Sequence, residues 1–292
     1  MQKLIKVVDE KRGIVQVTTS DERWYVKEVK DKETGLPKHL FVPSVTWIAG
    51  HYPKGVQFYK WLADKGWDES QAIKQAAGDK GSKVHEAISA IFRGEEVRID
   101  SKFMNKTTEQ LEELTFEEIE CIMSFIDWRN SLKSFEAIAW DVVVFSEQGN
   151  YAGTVDLIAR VDGELYVIDF KTSQYIWTEY ELQVSAYARA LENGENPIYA
   201  KNPNGTEGKM IDLSGLKIAI LQIGYRKNKS RYKFTDIENQ YSMFEIAKAI
   251  WQRDSSTQEP RQVDLPIVLS PAIKVEEALA EEKPVKKAVK TK

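Results

Sequence analysis

The stretch that most constrains the fold is residues 151–173, YAGTVDLIARVDGELYVIDFKTS. Two apolar-rich runs flank Asp162-Gly163, and an Asp-Gly pair in that position is the strongest short-range signal for a β-hairpin with a two-residue type I′ turn. The register of such a turn places Asp156 directly opposite Asp169. Because the neighbouring residues are apolar on both faces, the two strands are predicted to be buried at the centre of a sheet.

The predicted hairpin carries two acids and a lysine on one face. Directly opposed residues have Cβ atoms about 4.5–5.5 Å apart, and the two-residue period of a strand places Lys171 beside Asp169. Two buried carboxylates at that separation, Asp156 and Asp169, repel each other unless a cation neutralises them, and hard oxygen ligands favour Mg²⁺ or Mn²⁺. With a lysine to orient a nucleophile and offset developing charge, the group predicts phosphodiester hydrolysis. The alternative is a structural Asp–Lys ion pair, in which one lysine would have to neutralise two buried acids.

Apolar periodicity divides the rest of the chain into strands and helices. Strands are predicted at residues 14–17, 24–26, 39–42, 137–146, 153–161, 164–170, 217–225 and 231–237, and helices at residues 55–67, 84–92, 116–132, 179–191 and 241–251. The order of these elements predicts an α/β fold built on a mixed sheet. On the helix after the hairpin, Gln183 and Tyr187 are four residues apart and therefore share one face.

Composition excludes several classes of protein and of site. A single cysteine, Cys121, rules out a disulfide scaffold, a four-cysteine zinc site and a cysteine-ligated iron–sulfur cluster. No apolar run reaches the length of a membrane-spanning helix, and the apolar stretch near residue 1 is too short for a signal peptide. We therefore expect a soluble, cytoplasmic protein, in the host cytoplasm if a phage encodes it.

Charge is unevenly distributed along the chain. The whole sequence has a formal net charge of −4, but residues 283–292 contain five lysines and no acid, so residues 1–282 carry −9. A body that acidic does not bind DNA by bulk attraction, and a nucleic-acid site must be a local basic patch or a metal ion held by carboxylates. From about residue 272 the chain is dominated by Ala, Val, Lys and Glu, which predicts a disordered tail.

Four short motifs follow one another along residues 81–187. They are Gly81-x-x-x-His85, Gly153-Thr-Val-Asp156, Asp169-Phe-Lys171 and Gln183-x-x-x-Tyr187. This set resembles the motifs of the RecB-like branch of the PD-(D/E)xK nucleases, although residue 155 is valine where the superfamily name has proline. Residues 43–46, residues 58–61 and the late strand pair are similar to those of the DNA exonucleases typified by mitochondrial genome maintenance exonuclease and its phage and bacterial relatives.

The resemblance implies a fold and a division into regions. The fold is a restriction-endonuclease-like αβββαβ core, with a central mixed sheet flanked by helices, and an N-terminal β/α elaboration. We expect the β-rich elaboration in residues 1–53, the nuclease domain in residues 54–256 and an extended segment, with the disordered tail, in residues 257–292.

The resemblance also implies roles for particular residues. The metal ligands would be His85, Asp156, Asp169 and the carbonyl of Phe170, with Mg²⁺ or Mn²⁺ as the ion. Lys171 would position the attacking water, Gln183 and Tyr187 would hold the scissile phosphate or a metal-bound water, and Glu147 would support the site. The sequence has no P-loop motif, so no nucleotide cofactor is expected.

A second group of residues is predicted to contact nucleic acid. Basic and aromatic residues alternate near the tip of the predicted late hairpin, a combination that suits single strands: Tyr225, Arg226, Lys227, Lys229 and Arg231. A solvated edge hairpin whose lysines prevent aggregation is an equal alternative. The resemblance adds Ser44 and Thr46, whose hydroxyls would bind phosphate.

The sequence therefore predicts a metal-dependent DNA exonuclease that prefers single-stranded DNA or free ends, in replication, recombination or repair. One alternative is a structure-specific endonuclease on the same core. Another is a catalytically decayed DNA-binding module, and a third is a structural protein in which the lysine alone satisfies the two acids. DNA is the expected partner, and the lysine-rich tail is a candidate site of contact with a second partner in replication or recombination.

Overall fold

The computed structural model describes residues 4–19, 22–31, 33–201, 207–255 and 257–260. The predicted C-terminal tail lies outside these ranges. The strands are β1 (Leu4–Asp9), β2 (Ile14–Thr18), β3 (Arg23–Lys30), β4 (Pro37–Pro43), β5 (Lys102–Asn105), β6 (Gln110–Glu113), β7 (Phe135–Ser146), β8 (Tyr151–Val161), β9 (Glu164–Lys171), β10 (Tyr199–Lys201), β11 (Glu207–Met210), β12 (Lys217–Ile223) and β13 (Tyr232–Asp236). The helices are α1 (Val45–Ala49), α2 (Val56–Lys65), α3 (Trp67–Phe92), α4 (Phe116–Ser131), α5 (Thr178–Glu192) and α6 (Tyr241–Asp254).

A five-stranded mixed sheet forms the centre of the molecule, in the order β13-β12-β9-β8-β7. Strands β7, β8 and β9 form an antiparallel meander, whereas β12 is parallel to β9 and β13 is antiparallel to β12. A parallel neighbour requires a crossover connection, and α5 lies within that connection. The order α4-β7-β8-β9-α5-β12 confirms the predicted αβββαβ core.

Two apolar cores cover the two faces of this sheet. One core joins the sheet to α1, α5 and α6, with Leu182, Tyr187 and Phe244 among its buried members. The other joins it to α3 and α4, with Ile88 and Phe125 among its members. Strands β8 and β9 contribute to both cores, which confirms that the hairpin is buried on both faces. In the part of the chain that the structure describes, no helix combines the length and the apolar character needed to cross a bilayer.

The first four strands of the chain form a second sheet, of order β1-β2-β3-β4. It shares the first core through Trp24, which is 1% exposed and packs edge-on against Trp47 and Trp251 with ring centroids 5.3 and 5.9 Å away. Ser44, directly after β4, forms a parallel bridge to Ala152 on β8. The aromatic residues of this sheet therefore pack in the core, and the sheet adjoins the strand that carries Asp156.

Several elements differ from the sequence prediction. Helix α3 begins at Trp67, well before the predicted residue 84. Residues 67–83 are mostly exposed and lack a continuous apolar stripe, so the sequence pattern does not indicate this part of the helix. Strand β12 ends at Ile223 rather than 225, since Gly224 adopts a φ of 70° that a strand does not accommodate. Strands β1, β5, β6, β10 and β11 were not predicted.

Candidate active site

The hairpin of β8 and β9 has the predicted turn and register. Asp162 and Gly163 have φ values of 50° and 90°, as a type I′ turn requires. The paired positions run from the turn to Leu157 opposite Ile168. Asp156 and Asp169 follow in the same register, one residue beyond the last pair.

Beyond that pair, a backbone N–H of β9 donates to a side chain of β8 instead of to its backbone. Asp156 Oδ2 accepts a hydrogen bond of 2.7 Å from the Phe170 backbone N–H. The two strands therefore separate at the aspartates, and both carboxylates lie at the resulting gap. This separation creates a polar site at the end of an otherwise apolar hairpin.

Asp169 is the most buried acid of the site, with 1% of its surface exposed. Its Oδ1 accepts a hydrogen bond of 3.2 Å from Gln183 Nε2. Its Oδ2 lies 2.6 Å from the Lys171 ammonium, and the two groups form a buried ion pair. A buried carboxylate is costly unless it is paired, and Lys171 and Gln183 are its partners here.

Helix α5 brings Gln183 and Tyr187 to the same place. Gln183 Oε1 accepts from Lys171 Nζ at 3.3 Å, and Gln183 Nε2 donates to the Tyr187 hydroxyl at 2.9 Å. The side chain of Gln183 thus connects the acid, the lysine and the tyrosine. Because the Tyr187 hydroxyl accepts from Gln183, its own proton is available to another acceptor.

Gly153 explains how the Tyr187 ring reaches the site. A Cβ atom at residue 153 would lie 2.5 Å from Tyr187 Cε1, far closer than two carbon atoms approach in proteins. The ring therefore packs directly on the backbone of β8, three residues before Asp156. The motif that contains Tyr187 therefore requires a glycine at residue 153 of another motif.

Helix α3 contributes His85, which is partly buried. Its Nδ1 lies 3.1 Å from Asp156 Oδ1, and its Nε2 lies 3.1 Å from the Phe170 carbonyl oxygen. The imidazole therefore touches both a carboxylate and a backbone carbonyl that were predicted to be metal ligands. In all, the structure brings together His85, Asp156, Asp169, Phe170, Lys171, Gln183 and Tyr187.

The pKa values of the two acids are shifted in opposite directions. Burial raises the pKa of Asp169 to about 6, and the charge of Asp156 adds to this rise while Lys171 opposes it. Burial also acts to raise the pKa of Asp156, but His85, Lys171 and the Phe170 N–H together lower it below its usual value. For Lys171, burial acts to lower the pKa, but the two carboxylates raise it. The lysine therefore stays charged, and Asp169 is the acid that is hardest to ionise.

The donor set fits a hard divalent cation that keeps part of its water. Within the described ranges, no three His, Cys, Asp or Glu side chains are close enough to hold a metal ion by themselves. Mg²⁺ is commonly bound by one or two carboxylates with several waters retained. Asp156, Asp169 and the Phe170 carbonyl match that mode, because they offer two carboxylates and one backbone carbonyl oxygen at the end of one hairpin.

A comparison with protein families agrees with this geometry. The family model described as PD-(D/E)XK nuclease superfamily matches residues 57–264, which is more than half of the chain. The chain belongs to the PD-(D/E)XK nuclease superfamily. Membership implies a nuclease, which is a hydrolase, and nucleases of this superfamily generally use Mg²⁺ or Mn²⁺ and bind DNA. No curated protein matches the chain.

In this nuclease the predicted DNA-contacting residues lie between β12 and β13. Arg226 donates to Glu117 at 2.8 Å, and Arg231 donates to Glu120 at 3.3 Å, both glutamates being on α4. Lys227 lies over the Tyr175 ring, 4.3 Å from its centre. Two further predicted residues belong to the same hairpin: Tyr225, whose N–H donates to the Arg231 carbonyl, and Lys229, which is exposed. Both arginines are thus already paired with acids.

The remaining predicted residues lie at the start of α1 and directly after β7. Ser44 is 1% exposed, and its hydroxyl accepts from the Trp47 N–H as the N-cap of α1. Thr46 is exposed in the first turn of the same helix. Glu147 follows the far end of β7 and pairs with Lys27 at 3.1 Å. Phosphate binding by Ser44 and Thr46 stays a prediction.

Sequence reasoning missed two features next to the nuclease site. Asp141 on β7 lies between the residues that pair with Val155 and Leu157, beside Asp156, and has a φ of 50°. Tyr175 and Trp177 are large exposed aromatic residues shortly after Lys171. Their position directly after the Asp169-Phe-Lys171 motif is a sequence signal that could have revealed them.

Proposed function

We propose that this protein is a metal-dependent DNA exonuclease of the RecB-like branch, which hydrolyses phosphodiester bonds in single-stranded DNA or at free ends. The observation that carries the proposal is the convergence of Asp156, Asp169 and Lys171 at the end of one hairpin, with His85 against it. Every position of the four motifs holds a residue competent for its role. That argues against a decayed binding module, in which an acid or the lysine would be missing.

Metal binding would involve Asp156, Asp169, the Phe170 carbonyl and His85. A bound Mg²⁺ or Mn²⁺ supplies a Lewis acid that lowers the pKa of water and stabilises charge on phosphate. Asp169 contributes a carboxylate oxygen, and Asp156 is held in place by the Phe170 N–H. His85 Nδ1 contacts Asp156 and fixes the orientation of that carboxylate.

Lys171 orients the attacking water and offsets the negative charge that develops on the phosphate. Its ammonium is held between Asp169 Oδ2 at 2.6 Å and Gln183 Oε1 at 3.3 Å, so its position is determined before substrate binds. Burial holds the pKa of Tyr187 well above its usual value. Its hydroxyl therefore remains protonated and can donate a hydrogen bond to a phosphate oxygen.

The test is digestion of end-labelled linear and closed circular single-stranded DNA with Mg²⁺, Mn²⁺ or EDTA. We expect metal-dependent loss of the linear strand alone. Lys171→Ala should lower the cleavage rate by about 10²–10³-fold, and the variant should still bind DNA. Lys217→Ala is the matched control, because Lys217 pairs with Glu164 at the opposite end of β9.

Three other outcomes would change the proposal. Equal loss of circles would indicate the endonuclease alternative. DNA binding without cleavage in any metal would indicate a binding module. Cleavage that survives Lys171→Ala would contradict the assignment of this site.

We further propose the division into an elaboration at residues 1–53, a nuclease domain at residues 54–256 and a C-terminal segment at residues 257–292. The shared core of Trp24, Trp47 and Trp251 supports an elaboration that folds together with the nuclease domain. A cytoplasmic location, a phage source, roles in replication or repair, and a partner for the tail stay predictions.

A further inference from the structure

The loop between β9 and α5 presents two large aromatic side chains to solvent. Tyr175 is 58% exposed and Trp177 is 49% exposed, and their rings contact each other with centroids 5.9 Å apart. Tyr175 follows Lys171 by four residues, which an extended chain spans in at most about 14 Å. Exposed aromatic residues grouped beside a reactive site are characteristic of binding surfaces rather than of a core.

Hydrogen bonds to β12 and the following hairpin hold this loop in place. Gln222 Nε2 donates to the Ser173 carbonyl and Gln174 Nε2 donates to the Gly224 carbonyl, both at 2.9 Å. The Arg226 N–H donates to Gln174 Oε1 at 2.8 Å. The two rings therefore follow directly after residues that are hydrogen-bonded to the neighbouring strand and hairpin, which limits the ordering needed when a ligand binds.

Two lysines near this loop lie over aromatic rings. Lys171 Nζ lies 4.5 Å from the centre of the Tyr180 ring, and Lys227 Nζ lies 4.3 Å from the centre of the Tyr175 ring. Arg226, next to Lys227, is already paired with Glu117. A positively charged groove with aromatic faces is the combination that binds single-stranded nucleic acid without sequence readout.

We propose that Tyr175 and Trp177 form a base-stacking subsite for unpaired bases next to the scissile phosphate, with Lys227 contacting the adjoining backbone phosphate. This inference rests on the proposed function and specifies how its substrate is recognised. Stacking requires an exposed base face, which a duplex hides between neighbouring base pairs. The subsite would thus select single strands and frayed ends.

The experiment compares binding of two fluorescently labelled oligonucleotides of equal length and charge, one of thymidines and one with abasic sugars in place of the bases. Binding is measured by anisotropy in EDTA, so that no cleavage occurs. We expect the wild-type protein to bind the thymidine strand at least about tenfold more tightly. The variant Tyr175→Ala/Trp177→Ala should lose that preference. Tyr175→Phe/Trp177→Phe should keep it.

Tyr199→Ala is the matched control, because Tyr199 is also an exposed aromatic residue, on β10, and it should keep the wild-type preference. Equal binding of the two strands by the wild-type protein would overturn the subsite, as would an unchanged preference in the double alanine variant. Those results leave the proposed nuclease intact if the wild-type protein still cleaves linear DNA with Mg²⁺. Absence of both cleavage and DNA binding would instead overturn the proposed function and the subsite with it.

Discussion

Replacing Asp169 by asparagine should change how the stability of the metal-free protein depends on pH. Burial raises the pKa of Asp169 to about 6 in the folded protein, whereas an aspartate in an unfolded chain has a pKa of about 3.9. Between these two values Asp169 is protonated to a greater extent in the folded protein than in the unfolded one. Its contribution to the free energy of unfolding therefore falls as pH rises through this window.

The size of the effect follows from the difference between the two pKa values. About two pKa units at about 1.4 kcal/mol each give roughly 3 kcal/mol as the full contribution. The contribution is absent below about pH 4, where both states are protonated, and complete above about pH 6, where both are ionised. Since Asp169 is 1% exposed, solvent screens little of it.

The assay is urea denaturation in EDTA at several values of pH between 4 and 7. The free energy of unfolding of the wild-type protein should fall relative to that of Asp169→Asn by up to about 3 kcal/mol across the window. Asp64→Asn, at an exposed position on α2, is the control and should follow the wild-type curve. Parallel curves for the wild-type protein and Asp169→Asn would refute the reasoning, because the acid would then have no special cost in the fold.

Two further predictions concern metal and packing. Mg²⁺ or Mn²⁺ at a concentration ten times its dissociation constant should raise the free energy of unfolding by about 1.4 kcal/mol. The measurement is the rise in melting temperature on adding the metal, which EDTA should reverse and Asp156→Asn should abolish. An equal rise in the variant would show that the ion binds elsewhere. Gly153→Ala should lower the free energy of unfolding by about 1–3 kcal/mol, because its Cβ would lie 2.5 Å from Tyr187 Cε1. Gly78→Ala, on α3 with open space around it, should instead raise it by roughly 0.5–1 kcal/mol; urea denaturation measures both, and equal changes would contradict the steric argument.

The parts of the fold that were predictable depend on local information. Asp162-Gly163 specifies a turn because both residues accept a positive φ, and the turn alone determines which residues of β8 and β9 face each other. The register then brings Asp156 near Asp169 without any knowledge of the rest of the chain. Periodicity likewise predicts α5, because one side of it is continuously apolar.

Contacts between distant segments could not be predicted by the same means. His85 and the Phe170 carbonyl meet because α3 shares the core on one face of the sheet with Phe170, and a lone histidine on a helix carries no signal of that contact. The close approach of Tyr187 to Gly153 depends on the crossing of α5 over β8. In both cases the family resemblance supplied the grouping, and the structure supplies its physical reason.

The pairing of Arg226 and Arg231 with α4 bears on how an acidic protein can select DNA. A sequence shows their charges but not the glutamates opposite them. Exposed ion pairs of this kind contribute about 0–1 kcal/mol to stability, so a phosphate backbone can exchange with Glu117 or Glu120 at little cost. The pairs nevertheless reduce long-range attraction, since each arginine is already neutralised. A hairpin of this type would hold DNA weakly by charge alone, and retention would then depend on contacts close to Lys171, where the aromatic rings and the candidate metal ligands lie.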